Sequence, residues 1–408
     1  MSEDNGEMTG DGKKESPSSA VVNSPLEDEN LLRLILCHLP SAPSSLLRAS
    51  LVCREWCSVV SDPRFLSDFR AHHHEPPVLG FFCDDFFGEN VEFATLLGPS
   101  PSDYIPAARF SLTVRRGSRV LRCSHGRVLI LNQEEQQFVV WDPVTGELLS
   151  IAFPPGLDGK MMRVIDGGVV CAATAQGHVH GACHSDPFRL VFVGEDRERF
   201  FTCVYSSDTM GWGNLFSIMR LPYFVRYSAN CPGTMSGNSI SLLLSGEQAA
   251  ILEFDWGRGD LAYIDVPSEA YKFDAIIGGM CQFTITTSDS GGLMFILLSS
   301  FSVYLWKRVS SGDGIAGWVL GDTIQLRNLL SLNPIMPLTI MGLDEDNNVI
   351  LKLTDTVVFL VNLETMQFKK VFAQLPFYAF SCHPFKSFYT PGARVTAGHG
   401  DIGTLPRA

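Results

Sequence analysis

The chain has little charge, and least of it is basic. Only 18% of its 408 residues are Asp, Glu, Lys or Arg, and 31 Lys and Arg stand against 44 Asp and Glu, a formal net charge of −13. No broad basic surface is available to neutralise phosphates, which argues against nucleic acid as a partner. Long apolar runs are also missing. The longest, Ser290 to Trp306, is broken by Gly291, Gly292 and three serines. It falls short of the roughly 18–20 apolar residues a spanning helix needs, so no membrane partner is expected and the run reads as one or two buried strands. The N-terminus, with Glu3, Asp4, Glu7, Asp11 and Glu15, lacks the basic patch and apolar core of a secretory or transit signal. No Asn-x-Ser/Thr acceptor occurs. The 11 cysteines show no repeating spacing and read as reduced, scattered core residues. These absences point to a cytoplasmic or nuclear protein.

What is present divides the chain in three. Residues 1–24 are rich in Ser, Gly, Glu and Asp and form a disordered acidic tail, because they hold too little apolar surface to offset the entropy of ordering. Residues 25–75 change to a helical pattern, with Leu31, Leu34, Ile35 and Leu39 and then Leu47, Leu51, Val52, Trp56, Val59 and Val60 at steps of three and four. Two or three short helices are expected. Glu27, Asp28 and Glu29 open the first and Pro40 closes it, Ser44 and Ser45 cap the second, and Asp62-Pro63 stops it. A unit this small buries too little surface to be comfortable alone, and Leu31, Leu32, Leu34, Ile35 and Leu36 cover more than one helix face. One face serves the core while another is left to dock.

From residue 76 to about 395 short runs of Val, Ile, Leu, Phe and Tyr are broken every ten or so residues by Gly, Pro, Asn and Asp, a β texture. A flexible tail, 396–408, follows. Strands are expected at Arg127–Leu131, Gln137–Trp141, Arg189–Val193, Phe200–Tyr205, Ile240–Leu244, Ala250–Phe254, Leu293–Leu298, Val303–Trp306, Asn348–Lys352 and Val357–Val361. Several form hairpins followed by a polar turn and a further extended segment, as in Asp142 to Gly146 and then Leu148 to Phe153. Comparable positions at Trp141, Tyr205, Phe254, Trp306 and Leu360 recur every ~50–65 residues, the spacing of four-stranded propeller blades with added loops. With an early degenerate repeat at Leu79 to Leu97, about six blades are expected, although a β-sandwich pair would show similar alternation.

The segment Leu26 to Phe65 resembles the F-box, carried by Leu31, Ile35, Leu36, Leu39-Pro40, Leu46-Leu47, Leu51-Val52-Cys53-Arg54-Glu55-Trp56 and Ser61-Asp62-Pro63-Arg64-Phe65. It departs from the family at the start, where the usual Leu-Pro appears as Leu26-Glu27. The junction from Phe69 to Pro77 and Leu79 to Phe82 resembles a group of plant, especially grass, F-box proteins that continue into a propeller-like region. The resemblance implies an α+β multidomain chain, a small all-α F-box followed by an all-β propeller. It also implies a non-catalytic substrate receptor of an SCF-type cullin-RING ubiquitin ligase, with a Skp-family adaptor and through it a cullin as partners and an unknown protein substrate. Leu31, Ile35, Leu39, Pro40, Leu47, Val52, Cys53, Trp56 and Val60 form the docking and core set, with Trp56 the anchor; some of them, Trp56 included, would only hold the helices together. The rivals are a propeller enzyme with an accessory helical module and a scaffold whose F-box is degenerate.

The remaining constellations read as structure. Gly177 to His184 places His178, His180, Cys183 and His184 close together, but no distant Cys-x-x-Cys or His pair completes a zinc set, so a polar loop is expected and no metal. His72-His73-His74 reads as a solvated junction. Gly312 to Gly317 matches Gly-x-Gly-x-x-Gly, yet a strand follows where a dinucleotide loop needs a helix, so no cofactor is expected. Trp141, Trp212, Trp256, Trp306 and Trp318 are assigned to packing between blades, and recognition to the loops at Asp208–Asn214, Arg226–Gly237 and Ser310–Gly317.

Overall fold

The computed structural model describes residues 28–84, 90–97, 110, 112–114, 117–157, 162–173, 178, 180, 183, 186–221, 225–227, 233–246, 249–270, 282–288, 290–310, 316–321, 323–332, 338–344, 346, 348–354, 356–376 and 381–389. Both expected tails and the Leu26-Glu27 pair lie outside them.

Four helices come first. α1 (Glu29–Cys37) starts at Asp28, whose carboxylate accepts from the backbone N–H of Asn30 at 2.9 Å and Leu31 at 3.2 Å. α2 (Pro43–Ser50) is not capped by Ser44 or Ser45, which lie inside its first turn; its N-cap is Ala42, and Pro43 sets the helical φ at the first position. α3 (Arg54–Ser61) ends at Asp62, and there the sequence expectation of a plain stop is corrected. Asp62 caps a further helix, α4 (Pro63–His73), by accepting from Arg64 N–H at 3.0 Å. An Asp-Pro pair ends one helix and starts the next, since proline is unfavourable inside a helix but suited to its first position. The Asp62 carboxylate also pairs with Arg33 of α1, which holds its pKa below the usual carboxylate range. α4 takes in His72 and His73, and His74 leaves it with φ 58.

The helices close over Leu32, Leu36, Leu46, Ala49, Val59, Val60, Phe65 and Phe69, together with Phe388 from the other end of the described chain. Phe388 meets Phe69 edge-on, with centroids 6.3 Å apart.

The rest forms six sheets arranged as the blades of a propeller. The first combines β1 (Val78–Asp84), β2 (Asn90–Thr95) and β3 (Leu112–Thr113) with the last strand, β27 (Cys382–Lys386). The second is β4 (Ser118–Ser124), β5 (Arg127–Asn132), β6 (Gln137–Trp141) and β7 (Leu148–Ala152). The third is β8 (Arg163–Cys171), β9 (Phe188–Glu195), β10 (Arg199–Ser206), β11 (Gly211–Trp212) and β12 (Phe216–Met219). The fourth is β13 (Val225–Tyr227), β14 (Thr234–Ser236), β15 (Ser239–Gly246), β16 (Ala250–Asp255) and β17 (Asp260–Asp265). The fifth is β18 (Gln282–Thr287), β19 (Leu293–Ser299), β20 (Ser302–Ser310), β21 (Ala316–Leu320) and β22 (Ile324–Gln325), followed by the short α5 (Leu326–Leu329). The sixth is β23 (Thr339–Leu343), β24 (Val349–Thr354), β25 (Val357–Val361) and β26 (Phe368–Phe372). The blade count matches the sequence expectation, and every expected strand is present.

The polar turns that follow β6, β16 and β25 share one device. Asp142, Asp255 and Asn362 each accept at Oδ1 from backbone N–H groups two and three residues on, at 2.9 to 3.0 Å. Neighbouring blades are joined by aromatic donors: Trp212 Nε1 reaches Ala152 O at 2.9 Å, Trp318 Nε1 reaches Asp265 O at 2.6 Å, and the Tyr263 hydroxyl reaches Met219 O at 2.8 Å. This supports the packing role assigned to the tryptophans.

The inner strands β4, β8, β14, β18, β23 and β27 surround the central axis of the ring. At their ends Ser124, His125, Val170, Ser236 and Asp344 line a shared pocket. On β4, Arg122 donates to Gly233 O at 2.6 Å and faces Asp166 of β8 at 3.3 Å, while Asp166 accepts from Gly233 N at 2.6 Å. One buried ion pair thus links three blades. Removing Asp166 strands a buried guanidinium and two backbone donors, so Asp166→Ala is expected to cost about 3–5 kcal/mol, read by denaturant unfolding. A loss below ~1 kcal/mol would mean that the pair does not hold the ring.

His383 of β27 is fully buried, and burial, helped by Arg122 and Arg119, pushes its pKa down to about 3. The unfolded histidine titrates near 6.5, so between those values the unfolded chain binds more protons and stability falls as pH falls, by up to ~1.4 kcal/mol per pH unit. His383→Asn should flatten the acid limb of melting temperature between pH 6 and pH 4; parallel limbs for variant and wild type would remove His383 from that dependence.

Candidate docking face and recognition clefts

The helical unit leaves an unusual amount of apolar side chain in solvent. Leu31, Ile35, Leu47 and Val52 of the expected docking set are exposed, Val52 to 60%. The sequence set omitted two residues that are as open or more so, Leu34 at 58% and Leu51 at 84%. Their signal was in the nearly continuous run from Leu31 to Leu36 and in the Leu51-Val52 pair between α2 and α3, where a strict helical stripe gives way to a turn. Pro40 and Cys53 are exposed, Leu39 and Trp56 half-buried. Val60 is the correction: at 0% exposure it is packed between the helices and presents nothing to a partner. Trp56 packs its ring partly against that same core, which gives it a structural share.

Why these leucines stay outside follows from the helix lengths. Three of the four helices have only eight or nine residues, so each has room for one narrow buried stripe, and Leu32 with Leu36 occupies it on α1. Their neighbours Leu31, Leu34 and Ile35 point elsewhere.

The helices stand on the propeller end where the inner strands finish, since β27 ends and β1 begins there and Phe388 enters the helical core. Arg70 of α4 is half-buried, and burial lowers its pKa, an effect the Cys183 sulfur partly offsets. Besides a cleft of about 530 Å³ between the sixth and first blades, lined by Asp344, Asn362 and Lys386, two more open at this end among the described residues. One, of about 660 Å³, lies between the second and third blades and includes Arg127, Asp142, Glu147, Asp186, Ser207 and Asp208. The other, of about 380 Å³, lies between the fourth and fifth blades and includes Thr234, Ser236, Glu253, Thr287, Arg308 and Ser310. Two of the three expected recognition loops border the second cleft and the start of the third borders the first. Much of Arg226–Gly237 and Ser310–Gly317, including most of the Gly-x-Gly-x-x-Gly match, lies outside the described residues. What is described there is a β20–β21 pair, Ser310 opposite Ala316, so a strand follows the glycine-rich stretch.

Of the Gly177–His184 cluster, His178, His180 and Cys183 are described and His184 is not. The fold brings these three together with Cys171 from the end of β8, a residue the sequence reading left out. Among the described residues no helix is long and apolar enough to cross a membrane.

Comparison with known proteins agrees with this architecture. The F-box-like family model matches residues 29–68, from the start of α1 into α4, so the helical unit is an F-box-like domain. Over 267 residues the chain is 21% identical to an F-box/kelch-repeat protein of Arabidopsis thaliana, covering 60% of this chain and 64% of that protein. The chain therefore spans just under two thirds of that relative. Together these matches support an F-box protein. Among solved structures, apo AztD from Citrobacter koseri aligns with 74% of this chain and 88% of its own at 10% identity and a TM-score of 0.30. The Dos1 propeller aligns with 72% of this chain and 70% of its own at 8% identity and a TM-score of 0.31.

The division between core and exposed face is directly measurable. Val60→Ala should lower the stability of the helical domain by about 1.5–3 kcal/mol, whereas Leu51→Asp should leave its melting temperature within a degree or so of wild type. The reverse ranking would mean that the exposed set is core.

Proposed function

We propose that this protein is a substrate-recognition subunit of an SCF-type cullin-RING ubiquitin ligase of the plant, grass-type F-box group. The F-box-like domain docks on a Skp-family adaptor, the adaptor joins it to a cullin, and the propeller presents a protein substrate. The observation that carries this reading is the set of exposed apolar side chains on an F-box-like unit, Leu31, Leu34, Ile35, Leu47, Leu51 and Val52. A small helical domain that exposes this many large apolar groups gains stability by burying them in a partner's groove. Leu31, Leu34 and Ile35 share one face of α1, and Leu47, Leu51 and Val52 mark the end of α2 and the turn after it.

The chain's part in ubiquitin transfer is tethering. Substrate and ligase held on one rigid body meet at high effective concentration, so the receptor contributes to rate without a catalytic group of its own. The two clefts differ in lining, one rich in Asp and Glu with Arg127, the other in Ser and Thr, and both are framed by loops on rigid blades, the usual setting for recognition. The compartment that fits such a receptor is the cytoplasm or nucleus.

The test is a pull-down of the purified full chain with Skp adaptors. Wild type should bind, and Ile35→Asp and Val52→Asp should each weaken binding at least tenfold while circular dichroism and melting stay unchanged. Failure of wild type to bind any Skp paralogue would overturn the assignment.

A further inference from the structure

We propose that Cys171, His178, His180 and Cys183 bind a structural zinc ion, a site independent of the receptor reading. The four ligand atoms lie within 4.8 Å of one another. His178 Nε2 is 3.3 Å from the sulfur of Cys171 and 3.3 Å from that of Cys183, and His180 Nδ1 is 3.6 Å from Cys183 Sγ. A tetrahedral zinc, with Zn–S about 2.3 Å and Zn–N about 2.0–2.1 Å, separates neighbouring sulfur and nitrogen ligands by about 3.5 Å. The three separations of 3.3 to 3.6 Å are close to the edge length of such a tetrahedron.

The surroundings favour an ion over an ordinary polar loop. Among the described residues the other buried cysteines, Cys83, Cys123, Cys203 and Cys382, are all packed in hydrophobic clusters. Cys183 is equally buried, yet it belongs to no such cluster and its sulfur faces two imidazole nitrogens. Behind His178, Asp186 Oδ2 is 3.7 Å from Nδ1, the ring nitrogen left over when Nε2 faces the ligand set. A carboxylate in that position orients a metal-binding imidazole and raises its basicity. Arg127 of β5 donates to the carbonyls of both Cys183 and Asp186, so the neighbouring blade fixes the backbone that carries ligand and carboxylate.

The donor set selects the metal. Two thiolates and two imidazoles are soft to borderline ligands, suited to zinc and unsuited to calcium or magnesium, and four protein ligands leave no open position for substrate or water. The ion is therefore structural. It would tie the end of β8 to His178, His180 and Cys183, which precede β9. The sequence pattern hides this site because the missing ligand is not in a distant pair. It is Cys171, the last residue of a strand, which the loop folds back to meet.

The full chain, purified under reducing conditions without added metal, is to be assayed for zinc by plasma mass spectrometry after gel filtration. About one zinc per chain is expected, falling at least tenfold in Cys171→Ser and in Cys183→Ser and persisting in Cys57→Ser, which alters an exposed thiol on α3. Should the ligand variants fail to fold, cobalt(II) exchanged into wild type decides: intense visible bands of a tetrahedral thiolate–imidazole site support the proposal, and weak octahedral bands overturn it. Wild type without zinc, zinc retained in both ligand variants, or a Cys171–Cys183 disulfide found by peptide mapping of the purified protein would each overturn it as well.

Discussion

The pairing of β27 with β1 is the interaction on which the rest of the molecule depends. It joins residues about 300 positions apart, placing Phe81 opposite Pro384, Phe82 opposite His383 and Cys83 opposite Cys382. Until it forms, the first blade lacks its inner strand and the ring has two open edges. Because closure entropy grows only slowly with loop length, one well-packed strand suffices to hold so long a loop shut. The same segment runs on to Phe388 and completes the helical core, so closing the propeller and seating the F-box-like domain are one event.

Around that closure the blades repeat a few devices. An Asx turn ends the third strand in several blades, and an aromatic donor on an outer strand ties neighbours together. The inner strands differ because they must bury polar groups. Arg122 and Asp166 answer each other and the Gly233 backbone across three blades, and such a pair holds position only while every member is satisfied. Rigidity of this kind suits the proposed receptor role. Loops at the blade ends can diverge in sequence while the frame that carries them stays the same.

The propeller end that carries the helices gathers the chemistry left over from the fold. Exposed leucines on α1 and after α2 face solvent, clefts open between blades, and the Cys171–His178–His180–Cys183 cluster sits at the end of β8. In the receptor role proposed above, the angle between the F-box-like domain and the propeller would set where a substrate stands relative to an adaptor. That angle rests on Phe388 and on the chain passing from α4 into β1.

The sequence by itself determined the helical unit, the β texture, the blade period and ten strands, because each rests on local periodicity or on turn residues whose conformational preference needs no partner. The inner strands escaped it. β8, with Asp166, Gly167 and Gly168, and β18, with Thr284 and Thr286, are polar or glycine-rich where they surround the central axis, and β27 contains Pro384, so none shows the alternation of a strand buried on one face. In the same way, periodicity could assign apolar residues to the helical unit but not divide Val60, fully buried, from Leu51, almost fully exposed. That division, the closure of the ring and the meeting of Cys171 with the histidine loop were decided only by the tertiary structure, because each depends on which surfaces distant segments cover.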